Sequence, residues 1–377
     1  MRIAISLLWI RHNVSGGVES YTRNLLDGFV SVPDNNEYVL ICSEDNAESF
    51  EPYTMDERFS LVRCSVYSNQ VEKTILFENT KLDKLVSSLG ADFCFVPSER
   101  MPLWKVNNRY LIVCHDIQFY HLPQYFNWVK AKWLVYACKR WAKKAEHIVT
   151  ITNCVKEDIV KNIGADAKKV SVIYNPILPN MEMEDFDKLE HKYGIRKNEY
   201  YYCVAAMLEH KNLLTILKTM AVIKKEGIKE LPNKLLISGA VYDNDYTRKV
   251  KRFIKDEGLE DDCIPTGYLS NAERNALMKN ARAFLFPSTF EGFGMPPIEA
   301  LQMGTPVITT KCAAIPEVTK GEAVYVENPY DEGEWLDKMK NEKVFKREPV
   351  VFEEYKTEVI TRKYLDLFRE FYKGIRL

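Results

Sequence analysis

No charge of either sign is in surplus in this chain: 52 Lys+Arg stand against 53 Asp+Glu over 377 residues. Nucleic-acid binding relies on clustered basic groups that neutralise phosphates, so a general nucleic-acid binder is not the reading to pursue. Paired-cysteine motifs are also missing. The nine cysteines lie scattered from Cys42 to Cys312 without a CxxC, which argues against a zinc ribbon or disulfide framework and for a reducing, cytoplasmic setting. Nor is there a long apolar run. The stretch 1–10 ends at Arg11 and His12 with no small-residue cleavage site after it, far short of the roughly 20 residues a membrane span needs. It is expected to be a buried first strand, and any membrane contact to be peripheral. No short-period repeat or low-complexity tract occurs, and a 46% hydrophobic, 28% charged chain of this length predicts two sizeable cores.

What the chain does have is alternation. Strand-length apolar runs at 2–8, 37–42, 93–96, 110–114 and 147–151 alternate with helix-patterned segments at 19–30, 81–89, 129–143 and 154–162. This rhythm predicts βα units around a parallel sheet buried on both faces. It breaks at Tyr174-Asn175-Pro176-Ile177-Leu178-Pro179-Asn180. It then restarts with strands at 201–205, 234–238, 263–266, 283–286 and 306–309 and helices at 213–226, 246–257, 271–280 and 297–302. The fold class expected is α/β, with two separate doubly wound, Rossmann-like sheets that imply a cleft between them. The expected limits are 1–178 for the first domain, 179–352 for the second, and 353–377 for a terminal helix packing back across both.

The most informative stretch runs from Phe286 to Ala300, Phe-Pro-Ser-Thr-Phe-Glu-Gly-Phe-Gly-Met-Pro-Pro-Ile-Glu-Ala. A strand enters a loop holding Gly292 and Gly294, then a helix whose first position suits Pro297 and which Gly304 stops. Glycines let the backbone approach a ligand closely, and the amides at a helix start favour an anion such as phosphate. Carboxylates at Glu291 and Glu299 would repel that phosphate, so they are expected to turn toward neutral hydroxyls. Such an arrangement describes a sugar nucleotide. A plainer reading stands beside it, in which Glu299 complements its own helix dipole and Glu291 is a solvated loop residue. A glycosidase-type pair fits poorly, because it needs its carboxylates on opposite sides of one bond.

Glu291 and Glu299, eight positions apart, are followed by Gly304-Thr305-Pro306-Val307 and Ile315-Pro316-Glu317-Val318. This pattern resembles the signature of family 4 of the retaining glycosyltransferases, and the resemblance spans nearly the whole chain, strongest from Ala283 to Val318. It implies the GT-B architecture, two facing Rossmann-like domains with a deep interdomain cleft, with the nucleotide sugar held mainly by the C-terminal domain and no metal. For Glu291 it implies contact with hydroxyls of the transferred sugar, and for Glu299 contact with the ribose.

In the loop Leu208-Glu209-His210-Lys211-Asn212, Lys211 is positioned for a diphosphate. Relatives carry arginines near here, where this chain has Ala206 and His210. A neutral imidazole is a weaker partner than guanidinium, and His210 reads either as a phosphate donor or as a surface or capping residue. In Ser15-Gly16-Gly17-Val18-Glu19 ordinary turn chemistry suffices to explain the glycines, while the resemblance places Gly16 and Gly17 next to the phosphates and acceptor. It also implies a catalytic-site role for His115 at the donor sugar, supported by Asp116, and a place near the base for Gly267-Tyr268. A satisfied loop histidine with a capping aspartate is the alternative for His115-Asp116. Asp243-Asn244-Asp245 looks like a metal-holding Asp-x-Asp, but it opens a helix, where capping is the plain reading. No metal or other cofactor is expected.

Residues 128–144 hold six basic side chains and no acidic one, interleaved with aromatics. Two readings stand: a core helix with solvated lysines, or a helix lying on an anionic membrane. The expectation for the whole is a retaining, metal-independent transferase moving a hexose from a UDP- or GDP-sugar to a glycan acceptor, which relatives often carry on a lipid. The setting expected is cell-surface polysaccharide synthesis (capsule, O-antigen or exopolysaccharide), in the cytoplasm at the inner face of the plasma membrane. His115, Glu291 and Lys211 form the expected catalytic set. The amides of Gly292, Phe293, Gly294 and Met295 join Lys211 at the leaving diphosphate, and no general base is named. A sugar-nucleotide epimerase, and a catalytically silent sugar-nucleotide-binding subunit, are the alternatives.

Overall fold

The computed structural model describes residues 1–12, 16–177, 182–341 and 348–374. The chain forms two compact units, Met1–Leu178 with Glu353–Leu377, and Pro179–Phe352; the junction at 178–179 lies outside the described residues.

Seven strands build the sheet of the first unit: β1 (Arg2–Ser6), β2 (Glu37–Ser43), β3 (Phe59–Cys64), β4 (Phe93–Val96), β5 (Tyr110–Cys114), β6 (His147–Thr150) and β7 (Val170–Val172). Their order is β3-β2-β1-β4-β5-β6-β7, and all pairings are parallel. The central strands are buried along almost their whole length, because helices cover both faces, so their apolar runs are unbroken in sequence. β3 and β7 were not expected. Both are edge strands; β3 carries Arg63 and is only partly buried, and β7 is three residues long, so neither shows a clean apolar run.

The terminal helix is present as Thr357–Tyr372 and is counted with the first unit. Phe368 meets the rings of Phe29, Phe93 and Phe95, and Phe371 that of Phe93. The helix seats against Gly17–Ser31, where the missing side chain of Gly28 leaves room for Thr361. Arg109 donates to the carbonyl of Phe371 and lies over its ring, capping the helix C-terminus with a cation.

In the second unit six strands, β8 (Tyr200–Val204), β9 (Lys234–Ser238), β10 (Cys263–Gly267), β11 (Ala283–Phe286), β12 (Val307–Thr310) and β13 (Val324–Val326), run in the order β10-β9-β8-β11-β12-β13, again all parallel. Its core includes Tyr201, Cys203, Leu217, Ile237, Leu285 and Trp335. In both sheets the strand order reverses once, between β1 and β4 and between β8 and β11. These are the switch points where neighbouring C-terminal loops part and ligands settle. All nine cysteines are free thiols. Among the described residues, no helix is long and apolar enough to cross a membrane.

Candidate functional site

At the switch point of the second unit, the loop after β8 and the loop after β11 meet. Lys211 closes a short turn, Glu209–Lys211, and its Nζ lies 2.5 Å from Oε1 of Glu291. The loops are tied together by backbone as well: the carbonyl of His210 accepts from the Thr289 amide at 2.8 Å and from its hydroxyl at 3.1 Å. Thr310 Oγ1 on β12 donates to Ser288 O, and the Ala314 amide donates to Glu291 O. Lys211 and Glu291, 80 positions apart, are thus brought into contact by the topology. His210 is buried, and burial first, then the neighbouring Lys211, lowers its imidazole to about 4. A neutral ring adds no charge for a diphosphate, so Lys211 is the cation this loop offers.

The helix after β11 begins at Met295 rather than at Pro297, with Gly294 as its N-cap at φ 89°, a conformation that favours glycine. Pro296 and Pro297 occupy the first turn and have no N–H to donate. The first backbone N–H of this helix is therefore that of Met295. Glu299 lies one turn on, half-buried, and faces Arg274 of the helix Asn271–Asn280. Arg274 was not singled out in the sequence; a lone arginine on an amphipathic helix gives no signal until its neighbour is known.

Two further strand ends border this place. Gly239, after β9, would put a Cβ 2.4 Å from the carbonyl oxygen of Ala205, and its amide donates to Gly267 O at the end of β10. Only glycine allows the loops after β8, β9 and β10 to close up this tightly. Tyr268, next to Gly267, is 78% exposed, a bare aromatic face at the sheet's C-terminal edge. Asp243 and Asp245 both pair with Arg248, and Asn244 caps the helix through the Thr247 amide, which gives this Asp-x-Asp a structural explanation.

In the first unit, Gly16 is the N-cap of the helix Gly17–Ser31 at φ 59°; Ser15 lies outside the described residues. His115 follows β5 and is buried. Its ring meets Tyr21 edge-on at 4.8 Å, and Nε2 lies 2.9 Å from the carbonyl of Pro97. A carbonyl only accepts, so Nε2 carries the proton and Nδ1 is the acceptor of this ring. Burial lowers the imidazole to about 4, so it is neutral at pH 7. The His115 amide donates to Oε1 of Glu99 at 2.7 Å. Glu99, at the end of β4 and so at the switch point, is raised to about 7 by burial; it escaped the sequence reading because nothing near it repeats a known pattern. Asp116 accepts from the Gln118 amide, a capping contact.

A profile for glycosyl transferases group 1 matches residues 185–343, and one for glycosyltransferase family 4 matches residues 15–180. The chain belongs to these glycosyltransferase families. Among curated relatives of this glycosyltransferase chain, the O-antigen chain mannosyltransferase RfbU of Salmonella typhimurium is 31% identical over 230 residues, 61% of this chain and 60% of that protein. O-antigen chain mannosyltransferase B of Escherichia coli is 24% identical over 222 residues, 58% of this chain and 56% of its own length. The matched part therefore spans less than two thirds of either relative. Among solved structures, Anabaena HepE in complex with UDP and glucose superposes with a TM-score of 0.72 at 14% identity, covering 98% of this chain and 100% of that one. WaaG, a glycosyltransferase involved in lipopolysaccharide biosynthesis, does so at 0.66 and 12%, covering 97% and 95%. The glycosyltransferase fold is shared across the full length.

The basic segment is the helix Trp128–Lys144, with one face buried and the other exposed. Ala131, Cys138, Trp141 and Ala142 face the core. At 100° per residue, Trp128, Val129, Lys132, Tyr136, Lys139 and Lys143 fall within about 100° of one another on the other side, where Trp128 is 68% exposed. Arg140 is not part of that face; it donates to the carbonyl of Leu103.

Proposed function

We propose that this chain is a retaining, metal-independent hexosyltransferase that moves a hexose, mannose by the names of its relatives, from a nucleoside diphosphate sugar to a growing surface glycan. The observation that carries the reading is the meeting of Lys211 and Glu291 at the second unit's switch point, with Met295 amide and Glu299 one turn away. In this mechanism the acceptor hydroxyl oxygen bonds to the anomeric carbon on the face from which the β-phosphate oxygen departs, its proton passes to that departing phosphate, and charge develops on the leaving diphosphate. Lys211 and the amides of Gly292 to Met295 stabilise that charge. Glu291, already held by Lys211, accepts from hydroxyls of the sugar, and Glu299 from the ribose. Tyr268, with Gly267, borders the base. In this reading His115, neutral and with Nδ1 as acceptor, is assigned a hydrogen bond from a hydroxyl of the donor sugar, and Gly16 and Gly17 a part in binding phosphate and acceptor. No side chain serves as nucleophile.

A thermal-shift screen against UDP, GDP, ADP and TDP and their hexose conjugates, with and without EDTA, tests the donor site, since a ligand bound only by the native state raises Tm. A shift with one nucleotide, indifferent to EDTA and lost in Glu299→Ala, is expected. Turnover of that donor with a glycan acceptor, and an NMR coupling showing the anomeric configuration kept, completes the test. Donor turnover without acceptor would make it an epimerase, and binding without transfer a silent subunit.

The outward face of the helix Trp128–Lys144 is proposed to rest on the anionic inner leaflet of the plasma membrane, where a lipid-linked acceptor would lie. Lys132, Lys139 and Lys143 replaced together by Glu, sparing Arg140, should abolish binding to phosphatidylglycerol vesicles. Unchanged binding would remove the idea.

A further inference from the structure

The two oxygens of Glu299 are not equivalent. Oε2 is inaccessible to solvent and accepts no hydrogen bond. Its neighbour is Nη2 of Arg274 at 3.4 Å, close enough for an ion pair but not aligned as a hydrogen bond. Arg274 has an unsatisfied group of its own, a buried Nε without a partner. It is presented by a separate element, the helix Asn271–Asn280, whose start is set firmly by the reciprocal Ser270–Glu273 cap. The guanidinium charge also reaches Tyr202 on β8, so it sits behind the place where β8 and β11 part.

A buried carboxylate oxygen with no hydrogen bond is costly, and the guanidinium 3.4 Å behind it offsets that cost and holds the carboxylate turned that way. With Oε2 drawn inward, Oε1 is the oxygen left for a ligand. We infer that Arg274 is a positioning residue for the donor site: it fixes the carboxylate plane of Glu299 so that Oε1 meets the ribose hydroxyls of the nucleotide. Arginine suits this role better than lysine, because its planar fork resists rotation where a point charge does not. The inference rests on the reading of Glu299 as the ribose contact.

The test is calorimetric titration of the full chain with UDP and GDP and with their 2′,3′-dideoxy counterparts. The variants are Arg274→Met, Arg274→Lys, Glu299→Gln and the Arg274→Met/Glu299→Gln double. Arg274→Met should weaken the ribonucleotide about tenfold, the loss of one well-aimed charged hydrogen bond, and leave the dideoxy ligand unchanged. Arg274→Lys should fall between, and in the Glu299→Gln background the Arg274 change should cost nothing further. Equal losses for both ligands, or a full extra loss in the double variant, would show a merely structural arginine and overturn the inference. Should Arg274→Met not fold, the lysine variant carries the same comparison. Wild-type protein that binds no nucleotide would sink the donor-site reading and this inference with it, whereas nucleotide binding indifferent to Arg274 would sink this inference alone.

Discussion

Replacing Gly28 by alanine probes how the terminal helix is held. A Cβ built there lies 2.0 Å from Thr361 Oγ1, 3.0 Å from Thr357 Cγ2 and 3.2 Å from Thr361 Cβ. The hydroxyl is fully buried, so either Thr361 rotates a methyl into the same space or the helix Thr357–Tyr372 backs away from Gly17–Ser31. Overpacking of this kind costs about 2 kcal/mol, and for a unit of this size that is a fall in Tm of about 4–8 °C. Thr361→Ala removes the offending oxygen, which has no hydrogen-bond partner, so by itself it should cost under about 1 kcal/mol. The double variant should then recover at least about 1 kcal/mol of the loss, a favourable coupling between neighbours, whereas Thr361→Ser, which keeps the oxygen, should recover little. Thermal melts give the energies, and hydrogen exchange over 357–372 shows whether it is this helix that loosens. Tyr364 on the helix is hydrogen-bonded to Tyr21, whose ring meets His115, so activity should fall and return in parallel. Gly28→Ala with unaltered melting and exchange, or with no rescue by Thr361→Ala, would refute the packing argument.

Lys211→Met should slow transfer about 10²-fold, the effect of removing one electrostatic donor at a developing charge, with Lys211→Arg recovering part; steady-state kinetics with the identified donor checks it. His147, on β6 and bonded to Ser171 Oγ, is lowered to about 4 mainly by burial. The unfolded chain takes this proton first as pH drops below about 6.5, so the stability it confers is lost between pH 6.5 and 4; His147→Asn should flatten the acid limb of urea-melt stability by up to about 1.4 kcal/mol per pH unit. Gly239→Ala meets a backbone oxygen at 2.4 Å, whereas Gly294→Ala has only ordinary contacts of 3.8–3.9 Å at φ 89°. Urea melts should show the first costing well over the roughly 1–2 kcal/mol of left-handed backbone strain expected for the second.

The part of the candidate site that was legible in the sequence is the local part. The spacing of Glu291, Gly292, Gly294 and Glu299 lies within one strand, loop and helix, and a βα unit carries its ligand loop wherever the sheet places it. The boundary of the helix at Met295 was missed by two residues, because Pro297 and Pro296 both suit a first turn and only the φ of Gly294 decides between them. The burial of His210, which had been given a surface or capping role as its alternative, was missed for a different reason: burial depends on what packs over the ring.

Repeating apolar runs and their interruptions determined, from the chain alone, two parallel α/β sheets and the glycine loop with Glu291, since strand burial on both faces and glycine-loop chemistry are written in consecutive residues. Tertiary structure alone decided which distant residues act together. Lys211 reaches Glu291, Arg274 backs Glu299, Glu99 holds the His115 amide and Tyr364 meets Tyr21. Such pairings depend on strand order and helix seating, which are set by packing over the whole unit rather than by any local pattern.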